Sequence, residues 1–257
     1  MTGMTHSWSL AAHSGFSARR LTLALLGVLC LAMPLLPERG HAQQAQPGVL
    51  LELFTSQGCS SCPPADALLA ELAANQSEII PLALHVDYWD YIGWKDTFAD
   101  AAYTLRQKSY ARAMQARTVY TPQMIVAGQD VIVGAKPMEL GKHLQNHLIQ
   151  GPQVGMSAQR NGNALSVVVD AIAGPAKGGY VVELVRYLPQ ATVQVTRGEN
   201  AGANLTHVNI VTRWERLAEW SGAAPFELNV SIDGEEPIVL IVQQAGFGPV
   251  LAASRIE

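Results

Sequence analysis

Cysteine is scarce in this chain: three in 257 residues, at Cys30, Cys59 and Cys62. That is too few for a disulfide framework of the kind that holds small secreted domains together. Charge is scarce too, at 15% of residues, and its balance is acidic, −4 overall. Once residues 1–42 are set aside, with Arg19, Arg20, Arg39 and Glu38, 14 basic residues face 20 acidic ones. Such a surface makes a poor nucleic-acid partner. There is no internal repeat and no low-complexity tract. What is present instead is apolar residue, 49% of the chain, which excludes disorder and suffices for one large domain or two ordinary ones.

The first 42 residues read as a signal peptide. Arg19 and Arg20 precede an apolar run over residues 21–36, interrupted by Thr22, Gly27, Cys30 and Pro34, and Gly40-His41-Ala42 follows. A positive end, an apolar middle and small residues before Gln43 are the order a signal peptidase cuts. The rival is an uncleaved anchor, but the run sits at the lower edge of the ~17 to 25 residues of a spanning helix. Cys30, preceded by Leu29, is hydrophobic filler. No later segment reads as membrane-spanning, so the mature protein is expected to be secreted or periplasmic, with no membrane association after cleavage.

After a linker over residues 43–48, residues 49–150 alternate between two periods. Residues 49–54 and 79–86 suit buried strands, and Ala65, Leu68, Leu69 and Leu72 repeat at helical spacing. A helix is expected within 87–117, after an aromatic-rich loop. Residues 124–126 and 131–133 bracket the hairpin turn Gly128-Gln129-Asp130, and a last helix over 137–149 begins at Pro137. The order βαβαββα predicts a mixed sheet flanked by helices. Beyond Gly151-Pro152, strand-like runs at 165–172, 180–188, 192–196, 204–214, 226–232 and 237–242 predict a β-sandwich of immunoglobulin-like size over 151–257. These later strands carry no nucleophile–base pair, no glycine-rich phosphate loop and no ligand cluster.

Cys59-Ser60-Ser61-Cys62 falls between a predicted strand and a predicted helix. A bridge closing so short a loop removes little chain entropy, so a purely structural staple is badly placed here. Redox chemistry uses the position better, because a thiolate near a helix start is favoured by free N–H groups and the dipole. Cys59 is then the attacking sulfur and Cys62 the resolving one. Pro63 and Pro64 leave two starts open, Ser60 or Pro63, and a start at Pro63 moves Cys59 away from the dipole. Zinc competes through His143-Leu-Gln-Asn-His147, but the 80 residues after Cys62 do not fit a finger spacer of about 12 to 15. Those histidines are assigned to the outer face of the last helix. Copper(I) on the two thiolates, with His85, is the other metal alternative. No cofactor is called for.

Strand, Cys-x-x-Cys, helix, and later Val119-Tyr120-Thr121-Pro122 entering a strand resemble the thioredoxin fold. More narrowly, the stretch from Leu51-Glu52-Leu53-Phe54-Thr55-Ser56-Gln57-Gly58 through Cys62-Pro63-Pro64-Ala65-Asp66, with His85-Val86-Asp87-Tyr88-Trp89-Asp90 and Tyr120-Thr121-Pro122-Gln123, resembles a family of secreted thioredoxin-like proteins of unknown function. That family also carries a β-rich tail, here with Gly198-Glu199-Asn200 and residues 243–253.

The resemblance implies an α/β thioredoxin-like domain with a mixed sheet, followed by a C-terminal all-β sandwich-like domain. It implies a cis-proline at Thr121-Pro122 beside the disulfide, where substrate backbone pairs. It further implies a thiol-disulfide oxidoreductase working through Cys59 and Cys62 on thiol- or disulfide-bearing proteins or small molecules, with a separate redox partner. The alternative is a non-catalytic module of the same fold that binds a peptide or a metal such as copper.

Ser60-Ser61 in place of Gly-Pro, and Gly58 in place of tryptophan, leave substrate and potential open. Glu52 is either the buried acid that serves the resolving cysteine or a merely solvent-facing or salt-bridged side chain. The aromatic loop 87–94 is assigned to packing rather than to a peptide-binding wall, and Arg106, Gln107 and Tyr110 to the surface.

Overall fold

Residues 43–171 and 178–256 are described by the computed structural model. The expected signal peptide lies outside them. Among the described residues no helix is long and apolar enough to cross a membrane. The elements are β1 (Gln43–Gln44), β2 (Gln46–Pro47), β3 (Val49–Thr55), α1 (Pro63–Asn75), β4 (Ile79–His85), a 3-10 turn (Asp90–Ile92), α2 (Ala101–Ala113), β5 (Gln123–Val126), β6 (Asp130–Val133) and α3 (Pro137–Gln150). They continue with β7 (Val154–Asn161), β8 (Ala164–Ala171), β9 (Tyr180–Gln194), β10 (Asn204–Trp220), β11 (Phe226–Ser231), β12 (Ile238–Gln244) and β13 (Val250–Ile256).

Nine strands form one mixed sheet in the order β2-β13-β12-β9-β10-β4-β3-β5-β6, and four form a second, β1-β7-β8-β11. The join in the large sheet is the parallel contact of β10 with β4, where Ile210 faces Ala83 and the Asn209 amide donates to the Pro81 carbonyl over 2.8 Å. β3 runs parallel to β4 and antiparallel to β5.

The expected α/β thioredoxin-like domain followed by a separate all-β sandwich-like domain is therefore corrected. Strand accounts for 44% of the structure and helix for 21%, and residues on both sides of Gly151 build the same large sheet. The physical reason is side-chain alternation. On β3, Leu50 and Phe54 share one buried cluster with Tyr103 and Tyr110 of α2 and with Val185, Val211, Val239 and Ile241 of the later strands. Leu51 and Leu53 point the other way, against Leu69 of α1 and Leu140 of α3. On β12, Val239 and Ile241 join the first cluster while Ile238, Leu240 and Val242 pack on Val167 and Val169 of β8. Strands buried on both faces read as unbroken apolar runs, which is how both halves look in the sequence.

A second correction concerns α2. Arg106, Gln107 and Tyr110, expected at the surface, are buried. The helix lies across the large sheet with this side inward, and the polar groups are accommodated because each finds a partner there.

Candidate functional site

β3 ends at Thr55, and the next seven residues form a tight loop that delivers Cys59 and Cys62 to the start of α1. The two cysteines are joined by a disulfide with a Cα–Cα distance of 5.4 Å. Their exposures are 1% and 0%, whereas Ser60 and Ser61 between them face solvent. The helix starts at Pro63, with Cys62 at its N-cap and the prolines at its first two positions. Pro63 and Pro64 have no N–H, and the N–H groups of Ala65 and Asp66 both donate to the Cys62 carbonyl. The free N–H groups that make a helix start receptive to an anion are thus missing or spent. A hydroxyl takes their place: Ser61 Oγ lies 3.4 Å from Cys59 Sγ, and in the disulfide only the serine has a proton to donate.

Thr121–Pro122 is a cis peptide bond directly before β5. Phe54 pairs with Gln123 across β3 and β5, so Pro122 stands at the end of the sheet from which the cysteine loop leaves. Trp89 Nε1 donates to Thr121 Oγ1 over 2.7 Å, and Gln107 Nε2 donates to the Tyr120 carbonyl over 2.8 Å and to Gln123 Oε1 over 2.7 Å. Tyr88 donates to Gln107 Oε1, and burial, only partly offset by its bonds to Gln107 and Thr121, pushes its phenol up to about 12.

The aromatic loop braces the cysteine loop from one side. A Cβ added at Gly58 would lie 3.2 Å from Trp89 Cβ and 3.3 Å from Ile92 Cδ1, so Trp89 and Ile92 fill the space that a side chain at position 58 would need. Gln57 is the anchor. Its backbone N–H donates to Asp96 Oδ2 over 2.7 Å, and its side chain bonds to Thr97 and to the Trp94 indole. Asp96 Oδ2 also meets His85 Nδ1 at 2.7 Å, and the Phe98 N–H donates to Oδ1. Burial works to raise the Asp96 carboxyl, but the His85 bond and charge and the two backbone donors outweigh it and hold the group below its ordinary range.

Behind the disulfide a buried polar row continues from His85. The His207 ring stands perpendicular to it at 4.6 Å, and His207 Nδ1 lies 3.6 Å from Asp66 Oδ1, too far for a hydrogen bond. Asp66 sits one helical turn beyond Cys62 and accepts from Thr55 Oγ1 over 3.1 Å. The loop between β9 and β10 also reaches the cysteine loop. Asn200 Nδ2 donates to the carbonyls of Gln57 (2.9 Å) and Cys59 (3.1 Å), and Ser60 Oγ donates to Glu199 Oε2 over 2.6 Å.

Glu52 takes the salt-bridged alternative. It is fully buried, receives Arg106 Nε at 2.6 Å and Nη2 at 3.3 Å, and accepts from Tyr110 Oη at 2.6 Å. His143 and His147 do not approach the cysteines; both meet Asp130 of β6, at 3.1 and 2.7 Å. Among the described residues no group of three or more His, Cys, Asp and Glu side chains is arranged to hold a metal ion. Sequence reasoning missed Gln57, Asp66, Asp96 and His207 as neighbours of the disulfide. Asp96 lies more than thirty residues beyond it and His207 well over a hundred, and only pairing of β10 with β4 brings His207 near.

A family described as proteins of unknown function, DUF1223, matches residues 50–243, three quarters of the sequence. The chain belongs to the DUF1223 family. Among solved structures, a protein of Agrobacterium tumefaciens is 29% identical, with 82% of this chain and 96% of that one covered at a TM-score of 0.68. HBP35 of Porphyromonas gingivalis is similar in fold alone, at 12% identity and a TM-score of 0.55, over 82% of this chain and 74% of that one. No curated protein matches. The DUF1223 match spans the cysteine loop, the cis peptide and the Glu199-Asn200 loop together.

Proposed function

We propose that this protein is an exported thiol-disulfide oxidoreductase, secreted or periplasmic, that exchanges electrons with thiol- or disulfide-bearing proteins or small molecules through Cys59 and Cys62. The observation that carries the reading is the disulfide's position: it closes a four-residue loop at the junction of β3 and α1, at the sheet end where cis Thr121–Pro122 stands. A loop this short yields only about 2 kcal/mol from chain entropy, a small return for two of the chain's three cysteines.

In the exchange, a substrate thiolate attacks Cys59 Sγ. The Cys59–Cys62 bond breaks, and its electron pair leaves on Cys62 as a thiolate. That thiolate then either attacks the mixed disulfide and returns the pair, or is protonated while a second substrate thiol releases Cys59, which leaves the protein reduced and the substrate oxidised. Substrate backbone would lie beside Thr121–Pro122, at the end of the sheet from which the cysteine loop leaves. A Cys62→Ser variant is expected to accumulate mixed disulfides through Cys59 with other exported proteins, visible as bands lost on reduction. If Cys59 of the reduced protein is inert to alkylating reagents while the fold is intact, the reading is wrong.

A further inference from the structure

A substrate sulfur must approach Cys59 from the side opposite Cys62, yet Cys59 is 1% exposed. Something has to move before exchange. The cysteine loop has two flanks, and they are held with unequal strength. On the aromatic side Gln57 is fixed by one buried bond to Asp96 and by half-buried side-chain bonds to Thr97 and Trp94, and Gly58 is packed against Trp89 and Ile92. The β9–β10 loop is hydrogen-bonded to the cysteine loop by two side chains: Asn200 through half-buried bonds to the Gln57 and Cys59 carbonyls, and Glu199 through a solvent-exposed bond to Ser60.

The tip itself is closed by its own backbone. Val195 N donates to Ala203 O, Gly202 N to Val195 O and Ala203 N to Asn200 O, while Gly198, at a φ of +78°, lets it approach Trp94. It can therefore lift from the cysteine loop without unpairing β9 from β10. Exposed and half-buried hydrogen bonds are the ones that open first in a native protein.

We infer that Asn200 and Glu199 control access to Cys59: the β9–β10 loop is a strap whose release admits the substrate sulfur, with Asn200 as its principal fastening. This rests on the exchange reading for its biological meaning, but it is tested without turnover. The probe is dithiothreitol. One of its thiolates attacks Cys59 Sγ, the pair leaves on Cys62 and is protonated from solvent, and the second thiol closes the reagent's ring and frees Cys59; the reagent is oxidised as the protein is reduced.

Asn200→Asp keeps the side chain's size but sets a carboxylate against two carbonyls. Its disulfide is expected to be reduced about ten- to a hundredfold faster than that of the unaltered protein, the scale of losing two hydrogen bonds. Glu199→Gln keeps an acceptor for Ser60 and should stay within about twofold, whereas Glu199→Ala should gain severalfold. Equal or slower reduction in folded Asn200→Asp overturns the strap. Should that variant fail to fold, absence of any acceleration in Glu199→Ala overturns it instead. Trapping of substrates by Cys62→Ser alongside unaccelerated Asn200→Asp removes the strap and leaves the exchange; accelerated reduction with no trapped substrate removes the exchange and leaves the strap.

Discussion

Arg106 grips Glu52 through two hydrogen bonds in the interior of the protein, and its guanidinium carbon lies 3.6 Å from the centroid of the Trp214 ring. The pair links α2 to β3, and the ring belongs to β10, so three elements far apart in sequence meet at one charge. Burial works against the Arg106 cation, but Glu52 and other neighbours more than compensate and hold it firmly protonated. Nearby Glu183 of β9 is raised by burial, with the Arg106 charge only partly opposing this.

Removing one member of such a pair leaves the other buried and unpaired. Arg106→Met is expected to cost about 3 to 5 kcal/mol in urea unfolding, and Glu52→Gln less, because an amide still accepts from Arg106 and Tyr110. The rate of disulfide reduction in folded Glu52→Gln should match that of the unaltered protein. A large slowing with unchanged stability would return Glu52 to the role of the buried acid that passes a proton to Cys62.

The first half of the chain was legible because its signals are local. The helix over residues 137–149 is observed as Pro137–Gln150, the hairpin around Gly128 joins β5 to β6, and the order βαβαββα is found. The cysteine loop was legible for the same reason, since strand, Cys-x-x-Cys and helix follow one another directly. What failed depends on pairing between distant strands. The run 180–188 and most of the run 192–196 fall on one strand, β9, which continues through Pro189 and ends at Gln194. Opposite that proline lies Asn209, in the left-handed region at a φ of 48°. Nothing local announces that β10 will lie beside β4, and without that contact the tail looks like a domain of its own. The burial of Arg106 and Gln107 was hidden likewise, because their partners Glu52, Gln243 and Gln123 come from three other strands.

A chain ending at Gln150 therefore should not fold. It would strip Val185, Tyr187, Val211, Val239 and Ile241 from the cluster that covers Phe54, Ile80, Leu82 and Leu84. At about 1.5 to 3 kcal/mol for each large apolar side chain returned to water, that loss rivals the whole stability of an ordinary domain, about 5 to 15 kcal/mol. Circular dichroism and urea titration of the fragment are expected to show no cooperative transition. A cooperative one would mean that residues 49–150 hold a core of their own.

Asp96 gives the clearest dependence on pH. Its carboxylate joins the cysteine loop to β4 through Gln57 and His85, and its folded-state value lies below the ordinary 3.8. A carboxyl depressed by folding binds its proton more readily in the unfolded chain. Its contribution is therefore complete above 3.8 and disappears as the pH falls through the lower folded value. Asp96→Asn places an amide N–H₂ among groups that donate to the carboxylate and should cost about 2 to 4 kcal/mol at pH 5 to 6. Unfolding free energies of the two proteins, compared from pH 6 down to pH 2, should draw together below 3.8, because the unfolded chain then binds a proton that native Asp96 resists. A gap that stays constant to pH 2 would show that the negative charge contributes nothing and that only the hydrogen-bond geometry at Gln57 matters.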